Sequence, residues 1–278
     1  MTTTPHSGAD DGRREFVLAF ADDELCIGQN LAWWIAVGPF LEEDLALTSI
    51  SQDELGHARA LYGLLGDDVE RLAYGRQPQE YRSAHIAELP CRDWGETLVR
   101  HCLYDTAETV RWSALADSSW EALGAVARRA LAEERSHVRH ASGLVSRLLR
   151  TDAGRSRLLP LFEELAPMAC ELFDLPPGCS AQRLVAAGVM ARSPGDQRAH
   201  WQATVDEALA PTGCRPSWPT RAGRPAAGSD ATGPMSPGSA LTGSDTTAGG
   251  RAGVRSPHFA SLHAEMVEVL ALDPSARW

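Results

Sequence analysis

A glutamate and a histidine three residues apart occur twice in apolar stretches of this chain. One pair is Glu54 and His57 inside SQDELGHARA; the other is Glu134 and His137 inside AEERSHVRHA. Residues three apart share a face of a helix, so each motif points a carboxylate and an imidazole the same way. That pairing suits first-row transition metals. The competing reading for each motif is a buried polar network or a surface pair.

Helical periodicity separates the two readings. With about 100° per residue, and Glu43 as zero, Leu47, Ile50, Glu54, His57, Leu61 and Leu65 fall within roughly 40° of one line. Glu54 and His57 therefore lie in an apolar stripe. With Glu134 as zero, Ala127, Ala130, His137, Val138, Ala141, Val145 and Leu148 fall within about 60°, and Glu133 sits about 100° away, at the edge. Two further helical stretches each supply one inward acid. Glu24 lines up with Val17, Gly28, Leu31 and Ile35, whereas Asp22 and Asp23 point elsewhere. Asp105 lines up with Leu98, Cys102, Thr109 and Trp112; Glu108 is the reserve candidate.

Isolated carboxylates in a low-dielectric core cost several kcal/mol each or become neutral. Four of them with two histidines, facing one core, require a common compensating charge, which a pair of metal ions supplies. Di-iron carboxylate bundles use one acid from each of two helices and Glu-x-x-His from each of the other two. Spacing provides an internal check: Glu54 follows Glu24 by 30 residues, and Glu134 follows Asp105 by 29. The expected metal ligands are Glu24, Glu54, His57, Asp105, Glu134 and His137, with iron as the cofactor and no separate catalytic residue.

Elements of this kind must be long helices. Apolar periodicity, punctuated at Gly38-Pro39, Gly66-Asp67-Asp68, Pro90 and Asp117-Ser118-Ser119, predicts helices over 15–36, 41–65, 93–116 and 120–149. The 67–90 connection carries a short helix near 67–74. Four long helices with one longer crossover predict an all-α, ferritin-like four-helix bundle with additional C-terminal helices. Residues 154–173 read as helical but interrupted by Pro160 and Pro167, and 196–209 and 258–271 read as further helices. Residues 1–14 are expected as a disordered leader and 15–210 as the helical domain. The Gly/Pro/Ser/Ala/Thr-rich stretch 211–257 reads as a disordered insertion, with 258–278 returning to the same domain.

Composition narrows the function classes. The chain has 278 residues, 44% of them hydrophobic, and a formal net charge of −11, which argues against nucleic acid or an anionic membrane surface as the main partner. All 26 basic residues are arginine. The six cysteines form no CxxC pair, and neither a signal core nor a run of about 20 apolar residues occurs. A reduced, cytoplasmic protein is the expectation. With no GxGxxG after a strand and no CxxC cluster, electrons for any redox reaction come from a partner.

Among the remaining residues, Trp33, Trp34 and Trp112 read as core or interface aromatics. His101 and His140 are read as half-buried surface histidines rather than partners of the ligands. Glu42, Glu43 and Asp44 read as first-turn acids that favour the helix dipole. The arginines of 128–150 read as a solvated face or a contact with another chain.

Several segments together are distinctive: GPFLEEDLALTSISQDELGHARALYGLLGDD, ELPCRDWGETLVRHCLYDTAE, ALAEERSHVRHA, CELFDLP and HFASLHAEMVEVLALDPSARW. They resemble the C-type (PaaC) subunits of the bacterial phenylacetyl-CoA epoxidase over nearly the whole chain. The resemblance implies a ferritin-like protein paired with a homologous A-type catalytic subunit, a separate reductase and small accessory subunits. The implied complex uses O2 and NADPH-derived electrons to epoxidise the aromatic ring of phenylacetyl-CoA in aerobic phenylacetate degradation. In that family the A-type protein holds the working di-iron centre and the C-type protein is its structural partner. Here the A-type ligand pattern is matched residue by residue, which sets a catalytic role against two alternatives: a structural partner, and a stand-alone di-iron oxidase or oxygenase acting on another substrate.

Overall fold

The computed structural model describes residues 11–66, 68–219 and 249–273. Among them it has ten α-helices and no strand. Four long helices form the bundle: α1 (Asp11–Ala32), α2 (Leu41–Gly63), α5 (Trp94–Leu115) and α6 (Glu121–Leu148). α1 packs along α2 and α5 along α6, and the two pairs meet where α2 crosses α6. This is the all-α, ferritin-like architecture the periodicity predicts. The connection between the pairs holds α3 (Val69–Tyr74) and α4 (His85–Glu88). α7 (Asp152–Ala169), α8 (Ala181–Ala186), α9 (Pro194–Leu209) and α10 (Phe259–Leu272) complete the fold.

Local chemistry sets the helix starts. The side chains of Asp68, Asp93, Thr151 and Ser193 accept backbone N–H bonds from the first turns of α3, α5, α7 and α9, satisfying donors that a helix leaves unpaired. The α6–α7 turn requires glycine at position 154, where a Cβ would fall 2.0 Å from the Leu148 carbonyl oxygen. α1 is the innermost helix, buried almost without break from Val17 to Leu31. α2 covers one side, while α4 and α10 cover others.

Three boundaries differ from the sequence reading. α1 begins at Asp11, inside the expected leader, and ends at Ala32, so Trp33 to Val37 form turns rather than helix. α7 runs unbroken through Pro160 and Pro167. Pro160 is exposed and Pro167 partly so, so carbonyls freed by the missing N–H groups can turn toward water. The flanks of the Gly/Pro-rich stretch are placed: α9 is followed by a 3₁₀ turn at Ala210–Thr212, and Gly250–Ala252 forms another with Arg251 buried. Most of the expected leader and the middle of that stretch, 220–248, lie outside the described residues.

α10 returns to the bundle and buries Phe259, Leu262 and Met266, with the Phe259 ring 5.2 Å from that of Tyr81. The six cysteines are unpaired. Among the described residues no helix is long and apolar enough to cross a membrane.

Candidate metal centre

Three consecutive acids on α1 show how the bundle distributes its charge. Successive residues on a helix diverge by about 100°, so Asp22, Asp23 and Glu24, all fully buried, reach three different neighbourhoods. Asp22 accepts from Tyr62 Oη at 2.6 Å, from the Arg82 backbone N–H, and from Arg76. Asp23 accepts from Arg111 of α5 at 2.9 Å, from both Nη groups of Arg251 at 2.9 and 2.7 Å, and from the Ala84 backbone. Periodicity turns Asp22 and Asp23 away from the Glu24 face, but not to solvent. Glu24 faces the centre.

At the centre, Glu24, Glu54 and His57 present ligand atoms within 4.8 Å of one another, and so do Glu54, Glu134 and His137. Glu54 belongs to both groups. His57 Nδ1 stands 3.1 Å from Glu24, 3.6 Å from Glu54 and 3.7 Å from Glu134. His137 Nδ1 stands 3.6 Å from Glu54 and 3.4 Å from Glu134. Ligand atoms held about 2.1 Å from one ion lie roughly 3–4 Å apart. The spacing is that of groups able to share a cation.

The outer ring nitrogens are braced across the bundle. His57 Nε2 lies 2.9 Å from a Glu133 oxygen, and His137 Nε2 lies 3.1 Å from an Asp53 oxygen. Each brace is the residue just before the glutamate of the opposite motif. An N–H donated outward to a carboxylate fixes the ring and turns the Nδ1 lone pair inward, as metal-ligating histidines require. Glu133 and Asp53 are not singled out by the sequence reading, because the wheel places Glu133 at the stripe's edge. The acid-Glu-x-x-His pattern repeated at 53–57 and 133–137 is the signal that could have found them.

Electrostatics point the same way. Burial first, then the nearby Glu108 and Glu54 charges, drive the Glu24 carboxyl well above the usual carboxylate range. Burial and Glu54 do the same to Glu134. Burial also acts to raise Glu54, but bonds with His137 and His57 outweigh it and hold Glu54 well below that range. Burial would lower the imidazole of His137, yet bonds to Glu134 and Glu54 push it up to about 12. The acids thus draw positive charge onto the imidazoles. Both carboxylate oxygens of Glu54, both of Glu134, and Nδ1 of His137 are buried without a hydrogen-bond partner among the described residues. Orphaned buried polar atoms cost about 1–3 kcal/mol each, more when charged. The donor set fits metal ions.

The third long helix departs from the expectation. Asp105 is fully buried, but it lies outside both close groups. His101 Nδ1 contacts its Oδ1 at 3.1 Å, leaving Oδ2 unpartnered. His101 is buried and touches an expected ligand, so it is not the half-buried surface residue anticipated. The reserve candidate Glu108 is fully buried beside Arg111, at 2.5 Å. Burial, opposed by Arg111, places its carboxyl at about 7. Trp112 packs its edge against His57 with centroids 5.6 Å apart and stacks on Phe20 at 4.2 Å, as a core aromatic. Glu43 is also more than a dipole residue: it is buried and accepts from Trp94 Nε1 at 2.8 Å, with His140 Nε2 at 3.3 Å.

Comparison with known proteins places this geometry in a context. The family model of phenylacetic acid catabolic proteins (PaaA_PaaC) matches residues 2–278. The C-type subunit of the 1,2-phenylacetyl-CoA epoxidase of Escherichia coli (strain K12) is 29% identical over 196 residues, 68% of this chain and 78% of that protein.

Proposed function

Because the chain belongs to the phenylacetic acid catabolic protein family, we propose that it is the C-type subunit of a multicomponent oxygenase that epoxidises phenylacetyl-CoA. O2 and NADPH-derived electrons, delivered through a partner reductase, drive the reaction. The Escherichia coli relative is the C-type member of such an epoxidase. The proposed setting is the cytoplasm, consistent with six unpaired cysteines.

The observation that carries the metal reading is the pair of crossed braces, Glu133 on His57 and Asp53 on His137, around the orphaned carboxylates of Glu54 and Glu134. In this proposal Glu24, Glu54, His57, Glu134 and His137 hold two iron ions, with Asp105 as the sixth ligand. Bound iron supplies the capacity to reduce O2. The protein's part is to hold the imidazoles in one tautomer, keep water from a wholly buried site, and present Glu54 to both positions. Glu24 and Glu134, raised by burial and by neighbouring acids, hold protons until a cation replaces them.

A specific observation also supports the alternative of a structural partner. Asp105 stands outside both close groups, so the His137 side has one fewer close carboxylate than the His57 side. A bundle that binds metal to stay rigid, while an A-type subunit performs the oxidation, fits that asymmetry. Either role requires docking. Trp33, Ile35, Val37, Phe40, Leu41 and Leu45 are large apolar side chains left exposed on the α1–α2 connection and the start of α2. Clustered exposed apolar groups of this kind mark protein contact sites, and we assign this one to the A-type partner.

Iron content of the purified chain, with and without Glu54→Ala, tests the metal reading. Turnover of the assembled complex with the same variant separates the two roles. Loss of turnover supports a catalytic centre, and unchanged turnover supports the structural one.

A further inference from the structure

Where α7 and α9 pack onto α5 and α6 they leave a cavity of about 530 Å³, within the roughly 300–1,000 Å³ typical of small-molecule sites. Val145, Leu149, Phe162 and Leu209 contribute apolar wall, and Cys102, Thr106 and Val138 line it on α5 and α6. The charged residues on its lining are two arginines, Arg150 and Arg155; no aspartate or glutamate lines it among the described residues. On a chain of net charge −11 that local balance is unusual.

The two arginines sit together at the α6–α7 turn. Arg155 Nη1 donates to the Leu149 carbonyl at 2.9 Å, and its other Nη group pairs with Asp152, which is 98% exposed. Arg155 is thus held at the rim by the backbone of the turn. Arg150 is exposed and its side chain makes no hydrogen bond or ion pair among the described residues. An apolar chamber with fixed positive charge at one end is complementary to an amphipathic anion. A guanidinium fork matches a carboxylate, and the apolar body leaves water for the helix walls.

We propose that this cavity binds an amphipathic carboxylate, its acyl or aryl-alkyl body between the four helices and its carboxylate at Arg150 and Arg155. The site is separate from the metal centre and does not depend on metal binding.

Calorimetric titration of the full, metal-free chain with sodium decanoate tests this, with 1-decanol as the neutral control. The expected result is one saturable site per chain that takes decanoate more tightly than decanol. Replacing both arginines, Arg150→Gln with Arg155→Gln, should weaken decanoate binding about tenfold, as expected for two exposed, screened contacts. Ser146→Trp, an exposed position on the lining, should abolish binding by filling the cavity, while circular dichroism shows the helices intact. The proposal is overturned if decanoate binding does not saturate, or if decanol binds equally well. It is equally overturned if either the double arginine variant or folded Ser146→Trp binds decanoate like the wild type.

Discussion

His57 and His137 each use one ring nitrogen on an outer carboxylate and turn the other toward the core. If those braces orient the ligands, Glu133→Ala and Asp53→Ala should each weaken iron binding by about 10–100-fold, the usual cost of losing such a partner. A competition titration against a chelator would show it, and unchanged affinity would remove the braces from the account. Periodicity alone finds the inward residues, because burial in a stripe is what a wheel measures. It misses Glu133 and Asp53 because both are part-exposed, at 27% and 32%, and reach the site only through their side-chain length. It misjudges His101 because a wheel cannot show that one side chain will contact Asp105. A second residue-scale test concerns Glu43. Burial acts to raise its carboxyl, but bonds from His140 and Trp94 outweigh it and hold the group below its ordinary value. A depressed carboxylate contributes stability above the unfolded pKa and loses it as pH falls through the folded one. Glu43→Gln should therefore lower stability by about 1 kcal/mol at pH 7. The gap to wild type should narrow below about pH 4.5, as thermal melts at both pH values would show.

At the level of elements, the site depends on how closely α1 approaches α2. A Cβ on Gly28 would lie 2.9 Å from Leu55 Cγ and 3.2 Å from Glu54 Cβ, and Ser51 Oγ donates to the Gly28 carbonyl at 2.9 Å. Gly28→Val should force the helices apart, costing about 1–3 kcal/mol and shifting Glu24 away from Glu54. The measurement is a lowered melting temperature together with reduced iron uptake; uptake at the wild-type level would mean the spacing is not critical. The start of α2 carries a different expectation. Leu41→Asp with Leu45→Asp changes two exposed side chains, so the isolated chain should melt normally while co-purifying less of the A-type partner. Retained co-purification would move the docking surface elsewhere. The long helices are legible because their apolar repeat runs for many turns. The continuity of α7 is not, since two prolines read as breaks when their outward placement is unknown.

Across the whole molecule, the least legible feature is the tie between the first helix and the last segment. Arg251 lies 228 residues from Asp23, yet both its Nη groups donate to that carboxylate and further bonds reach the carbonyls of Ala19, Arg82 and Leu172. Arg251 sits in a stretch whose composition reads as unstructured, and no local pattern announces a partner so distant. Removing one member of a buried ion pair leaves the other charge uncompensated, at a cost of about 3–5 kcal/mol. Arg251→Ala should therefore lower the thermal midpoint substantially, with Arg111 on Asp23 limiting the loss. A midpoint within a degree or so of wild type would show that this tie does not stabilise the bundle.

The central claim is that the two Glu-x-x-His motifs form one metal centre, and iron analysis of the isolated chain tests it most directly. The account predicts about two iron ions per wild-type chain, with Glu54→Ala, which removes the shared carboxylate, retaining little iron while keeping its helical spectrum. A folded wild-type chain that takes up no metal, or a Glu54→Ala variant that binds as much as wild type, would contradict it.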